Sequence, residues 1–107
     1  MKYKVLITKT AEEDIFEIYK YVYQNDSPAK ADKLFKRIQE AILDLEEFPT
    51  RGHIPEELER INVTGYLEIH YKPYRIFYQV LNQTVYVHFI LDSRRDISEL
   101  LQKRLLR

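Results

Sequence analysis

The sequence has no cysteine and no tryptophan, only two glycines and four prolines among 107 residues, and a formal net charge of zero. Each shortage excludes something. Without cysteine there is no disulfide framework and no thiolate zinc site, a usage that fits a reducing compartment. No apolar run approaches the roughly 20 residues that cross a bilayer. The opening Met1-Lys2-Tyr3-Lys4 has no signal-peptide apolar core. A cytoplasmic protein with no membrane partner is therefore expected. There is no Gly-rich phosphate loop and no Cys/His cluster, so no cofactor and no metal are expected. Repeats, low-complexity tracts and linkers are also missing. The length suits a single domain over residues 1–107 that buries its own core.

What is abundant is tyrosine, nine in all. Tyrosine suits surfaces that are apolar on one side and wet on the other, interfaces included. Charge is unevenly spread. Residues 1–60 hold 10 Lys and Arg against 13 Asp and Glu, and residues 61–107 hold 7 against 4. A neutral chain polarised in this way can present a basic face to RNA or to an acidic partner.

Periodicity divides the chain into a helical half and a sheet half. Residues 2–8 alternate as an opening strand, at an edge or between partners. Thr10-Ala11-Glu12-Glu13 reads as a capping box, with Thr10 as N-cap of a helix running to about Asn25. Ser27-Pro28 caps and starts a second helix. Its stripe of Ala31, Leu34, Ile38, Ala41, Leu45 and Phe48 runs to Pro49. So short a connection makes an antiparallel helical hairpin. Residues 49–60 read as loop. Strands follow at about 66–71, 74–81 and 84–91, with turns at Lys72-Pro73 and Asn82-Gln83. Ile97, Leu100, Leu101 and Leu105 form a short amphipathic helix. The order β-α-α-β-β-β-α predicts an α+β fold, a helical hairpin packed on one face of a small twisted antiparallel sheet.

Period two assigns the sheet faces. Val85, Val87, Phe89 and Leu91 are expected toward the helices, with Ile76, Tyr78, Val80, Leu67, Ile69 and Tyr71. The opposite face then collects Glu68, His70, Arg75, Phe77, Gln79, Tyr86 and His88 as an open surface, with Ile90 also turned away. Arg94 and Arg95 enter at its rim. A one-residue slip in register inverts these assignments.

Three features carry a family likeness: the strand Tyr74-Arg75-Ile76-Phe77-Tyr78, the Asp92-x-Arg94-Arg95-Asp96 after the last strand, and the Phe48-Pro49-x-x-Gly52 closing the second helix. Together, in this order and across essentially the whole chain, they resemble the RelE/ParE superfamily of type II toxin–antitoxin toxins. The resemblance implies a small growth-inhibiting toxin silenced by a cognate antitoxin, as in plasmid stabilisation modules. RelE-like and YoeB-like members cut messenger RNA on the ribosome; ParE-like members inhibit DNA gyrase. The long hairpin and the Phe-Pro-x-x-Gly loop look more like the ParE branch. A YoeB-like catalytic set is matched by Glu56 after Pro55 and by Arg75. Its C-terminal His is absent, with Asp92-Ser93 in that place. The lysines of RelE-like clefts are thin, Lys72 being the close candidate.

Metal-independent RNA cleavage needs a base at the 2′-hydroxyl, cations on the phosphate and an acid for the leaving oxygen. Glu56 or Glu68 can be the base, Arg75 and Arg94 the clamps, and His70 or His88 the acid. Each has a plainer reading. Glu56 sits in a solvated acidic run, His88 can bond a neighbour such as Tyr86, and Arg94 or Arg95 can pair with Asp92 or Asp96. Arg75 either binds an anion, pairs with Glu68 across the hairpin, or receives an antitoxin carboxylate. The catalytic candidates, for a ribonuclease, are Arg75, His88 and Glu56. Those for RNA or target binding are Arg75, Arg94, Arg95, His70 and Lys72.

Overall fold

The computed structural model describes residues 2–105. Strand β1 (Lys4–Ile7) leads into the hairpin of α1 (Lys9–Asn25) and α2 (Pro28–Leu43). A 3-10 turn (Asp44–Glu46) and a one-turn helix α3 (Glu56–Glu59) precede the meander β2 (Tyr66–Tyr71), β3 (Tyr74–Leu81) and β4 (Thr84–Asp92). Helix α4 (Ile97–Leu105) ends the described chain. The strand order is β1-β4-β3-β2. β1 runs parallel to β4 while the meander is antiparallel, so the sheet is mixed rather than antiparallel throughout.

The hairpin starts two residues earlier than the capping-box pattern predicts. Thr8, not Thr10, is the N-cap of α1: its Oγ1 accepts the Ala11 N–H at 3.2 Å. Thr8 also extends the backbone pairing with β4, donating its N–H to the Val87 carbonyl at 3.0 Å. The strand's end and the helix's start are one residue. Ser27 caps α2 as expected, accepting the Lys30 N–H at 3.1 Å. The segment expected as loop contains α3, which seats Leu58, only 1% exposed, in an apolar cluster.

The larger difference concerns the sheet faces. β3 and β4 pair Phe77 with Phe89 but Tyr78 with Val87, leaving His88 as the extra residue of a β-bulge. Before the bulge Val85 and Val87 face the hairpin, as expected. Beyond it the alternation inverts. Ile90 joins the hairpin core of Ile38, Ile42, Leu45, Ile69, Ile76 and Tyr78. Phe89 and Leu91 turn to the other face and pack with Phe77, Leu58, Ile97 and Leu101. The sheet is therefore buried on both sides, and the expected open face is covered by α3 and α4. Phe77, assigned to that open face, is fully buried.

Candidate functional site

The charged centre of the molecule lies on the α4 side of the sheet and is organised by Arg75. This side chain projects from the second residue of β3, where His70 and Leu91 are its cross-strand neighbours. Its Nε and Nη2 donate to the two carboxylate oxygens of Glu68 at 2.6 and 2.8 Å. Its Nη1 and Nη2 donate to those of Glu57 at 2.7 Å each. One guanidinium thus grips two carboxylates through paired bonds, the strongest geometry open to it. The Phe77 ring packs 5.1 Å below the guanidinium carbon. Four of its five N–H donors are engaged inside the protein. The Glu57 hydrogen bonds push the Arg75 pKa up, with Glu68 adding to them, and Arg75 in turn holds the Glu57 carboxyl below its ordinary value.

Glu68 is 2% exposed, the one buried charged residue of the described chain. Besides Arg75 it meets two histidines. His70 Nε2 lies 2.8 Å from Oε1, and His53 Nε2 lies 3.5 Å from Oε2. His53 arrives through a single bridge between the loop after α2 and β2: its N–H donates to the Glu68 carbonyl at 3.0 Å and its carbonyl accepts the Glu68 N–H at 2.8 Å. Gly52 makes that approach possible. A Cβ there would stand 2.5 Å from the Glu68 carbonyl oxygen and 2.7 Å from the Tyr78 hydroxyl. The glycine of the Phe-Pro-x-x-Gly pattern is the point where loop and sheet touch.

The other sequence candidates fall in different places. Glu56 is exposed and ion-paired with Arg60 one turn along; its neighbour Glu57 is the residue that meets Arg75. His88, at the bulge, is half-buried, with its Nε2 2.8 Å from Gln79 Oε1 and its ring edge-on to Tyr66 at 5.6 Å. Burial lowers its pKa, favouring the neutral ring. Lys72 is exposed at the β2–β3 turn. Arg94 folds back on Asp92, with Nη2 2.6 Å from Oδ2, and depresses that carboxyl's pKa. Arg94 and Arg95 line a shallow cleft with Glu17, Ile18, Tyr21 and Tyr74, against the helical hairpin. The candidates therefore do not converge on one surface. Arg75 and His70 share the Glu68 cluster, His88 pairs with Gln79, and the two C-terminal arginines edge the hairpin. Glu57 and His53, which complete the cluster, carried no motif.

Beside the hairpin a mostly apolar groove is lined by Ile7, Ile15, Phe16, Tyr19 and Phe35, together with Glu12 and Asp32. Phe16 is 60% exposed and Phe35 42%. No helix among the described residues is long and apolar enough to cross a membrane.

Residues 5–97 match the family described as ParE toxin of type II toxin-antitoxin system, parDE. The chain belongs to the ParE toxin family, within the RelE/ParE superfamily. Three solved structures share its fold. A chain of the chromosomal ParDE toxin–antitoxin system of P. aeruginosa is 20% identical, aligning over 85% of this chain and 96% of that one, with a TM-score of 0.72. A chain of the RelBE2 toxin–antitoxin complex of Mycobacterium tuberculosis is 21% identical over 86% and 99%, with a TM-score of 0.63. A double arginine-to-alanine mutant of the E. coli toxin RelE in the free state is 15% identical over 100% and 98%, with a TM-score of 0.64. No curated protein sequence matches the chain. As a ParE-family protein, the chain is the toxin of a type II toxin–antitoxin pair.

Proposed function

We propose that this toxin arrests growth by inhibiting DNA gyrase in the cytoplasm, without cutting RNA, and that a cognate antitoxin neutralises it in a plasmid-stabilisation type of module. The observation that carries this reading is the state of Arg75. A phosphate clamp needs outward-facing donors, and Arg75 spends four of its five on Glu57 and Glu68. Glu56, the matched general base, points to Arg60 instead, and Arg94 is occupied by Asp92. The ParE family match supports the same branch. His88 is the feature that favours the ribonuclease alternative, because a neutral imidazole is a competent proton acceptor.

The antitoxin is proposed to lay an apolar helix face into the groove beside the hairpin, on Phe16 and Phe35. The outer side of the sheet is the other surface it could have covered, and α4 already occupies it.

Two assays decide the target. Purified toxin is added to a gyrase supercoiling reaction, and separately to a bacterial cell-free system translating a premade messenger RNA. Loss of supercoiling with an intact transcript is the expected result. Transcript cut at ribosome-bound codons, with supercoiling unaffected, overturns the gyrase reading.

A further inference from the structure

We propose that His53, Glu68 and His70 form a binding site for one divalent transition-metal ion of the zinc, cobalt or nickel type. The proposal is independent of the toxin's target. All three ligand atoms lie within 4.8 Å of one another. Both imidazoles present the same atom, Nε2, to one carboxylate, at 2.8 and 3.5 Å. Two ligand atoms on a tetrahedral zinc, each 2.0–2.2 Å from the metal, stand about 3.3 Å apart. The two imidazole–carboxylate spacings lie near that value, though they run to different oxygens of Glu68, and the whole set stays within 4.8 Å, so side-chain rotation of the two exposed histidines closes it around one ion.

The backbone holds the three together. His70 follows Glu68 by two residues on β2 and so shares its face. His53 is fixed opposite Glu68 by two backbone hydrogen bonds, at 3.0 and 2.8 Å. The two rings stand edge to face with centroids 5.0 Å apart.

Electrostatics favours a cation here. Glu57 and Glu68 bring two negative charges, and Arg75 brings one positive charge, so the buried cluster carries a net charge of −1. Arg75 also orients the Glu68 carboxylate through two donors, the kind of outer-shell support that metal-binding carboxylates receive. Two imidazoles and one carboxylate suit borderline metals rather than magnesium or calcium. His53 and His70 are about half exposed or more, which gives an entry path and leaves a coordination position for water. The bound metal pins the loop carrying Gly52 and His53 onto the edge strand β2.

The test uses the tag-free full chain, stripped with a chelator and titrated with zinc chloride by calorimetry. Cobalt chloride serves as a spectroscopic probe, and thermal unfolding is followed with and without zinc. The expected result is one ion per chain, cobalt absorption bands of a four-coordinate site, and a zinc-dependent rise in Tm. His53→Ala and His70→Ala, both at exposed positions, should each weaken binding at least about tenfold and abolish the Tm rise. His88→Gln should leave binding as in the wild type. Absence of binding in the wild type overturns the proposal. So does binding that survives in the His53→Ala/His70→Ala double variant or that is lost in His88→Gln.

Discussion

Asp14 of α1 and Arg104 of α4 form a two-point ion pair, with Nη1 3.0 Å from Oδ2 and Nη2 2.8 Å from Oδ1. The same carboxylate accepts the Ile90 N–H at 3.1 Å. Ile90 lies beyond Val87, where β1 stops pairing with β4, so a side chain takes over where the ladder ends. One carboxylate thus joins the hairpin, the sheet and the C-terminal helix. Both partners are mostly buried, at 13% and 20% side-chain exposure, and the Arg104 guanidinium also covers the Phe89 ring. Asp14→Ala should destabilise by about 1–3 kcal/mol, because it strands a backbone donor as well as a cation. Arg104→Ala should cost less than Asp14→Ala. The check is a shift in urea midpoint at constant slope, with amide exchange in α4 speeding up first.

Acid should weaken the fold in two separate steps. Burial lowers the folded-state pKa of His88 below its ordinary 6.5, so between those values the unfolded chain binds more protons and stability rises with pH. That contribution is complete above pH 6.5 and is lost as pH falls toward the folded value. Glu57 acts lower down. Arg75 depresses its pKa below 4.5, so its contribution is present above 4.5 and lost as pH falls through the folded value. Unfolding measured from pH 8 to 3 should show both slopes. His88→Gln should flatten the first and leave the second. A His88→Gln profile that still falls in the pH 6 region contradicts this assignment.

The ordering of elements was legible because period and punctuation agree there: Ser27-Pro28 starts α2, and alternation marks β2 and β3. The bulge was hidden for a physical reason. Residues 85–91 are apolar or aromatic on both parities around His88. Both faces are buried, so nothing in the polarity pattern marks where the alternation inverts. That single unpaired residue turned a two-sided core into an expected open face. The site was half legible. Arg75 stands out as a charge in an apolar strand, and Glu68 is its cross-strand alternative. Glu57 does not stand out, because a one-turn helix has no periodicity and it is Glu56, directly after Pro55, that fits the Pro-Glu pattern. His53 reaches the cluster only through tertiary pairing across the Gly52 loop.

Gly52 is expected to tolerate no side chain. The obstacle is backbone: the Glu68 carbonyl oxygen lies 2.5 Å from where a methyl group would stand, and it cannot swing aside like a flexible side chain. Gly52→Ala should destabilise by about 1–3 kcal/mol, as overpacking does. It should also break the Gly52 N–H bond to the Tyr78 hydroxyl, now 3.1 Å long. Gly65→Ala is the control without a backbone clash: a Cβ there meets only the Gln79 side-chain nitrogen, at 3.3 Å, and the cost comes from its φ of 92°. Denaturation midpoints compare the two. Nuclear magnetic resonance shifts confined to residues 49–55 and β2 would place the damage where the contact is.

The hairpin groove makes a separable prediction. Phe16 is the more exposed, so Phe16→Glu should change stability by no more than about 0.5 kcal/mol, while Phe35→Glu, which also loses its edge contact with Tyr19, should cost about 1 kcal/mol. In a groove that already holds Glu12 and Asp32, each new carboxylate should nevertheless repel an apolar or acidic helix, and antitoxin affinity should fall at least tenfold. Co-purification of toxin and antitoxin from a single operon, followed by titration calorimetry, reads this directly. Undiminished affinity would move the antitoxin to another surface.

Arg75 separates scaffold from catalyst. Its side chain is 12% exposed and Glu68 is 2% exposed, so Arg75→Ala leaves two carboxylates without their counter-charge. Breaking such a pair from one side should cost about 3–5 kcal/mol. Loss of toxicity in that variant would therefore say little about chemistry, since the folded fraction falls too. Removing all three charges together is the cleaner experiment: Arg75→Met with Glu57→Met and Glu68→Leu. Replacing a whole buried ionic group by well-packed apolar residues of similar size is often close to neutral in stability. If Arg75 is scaffold, as its bonding pattern argues, this triple variant should unfold near the wild-type midpoint and inhibit supercoiling in proportion to its folded fraction. If the folded triple variant no longer arrests growth, the charged cluster itself contacts the target, and the purely structural role assigned to it is wrong.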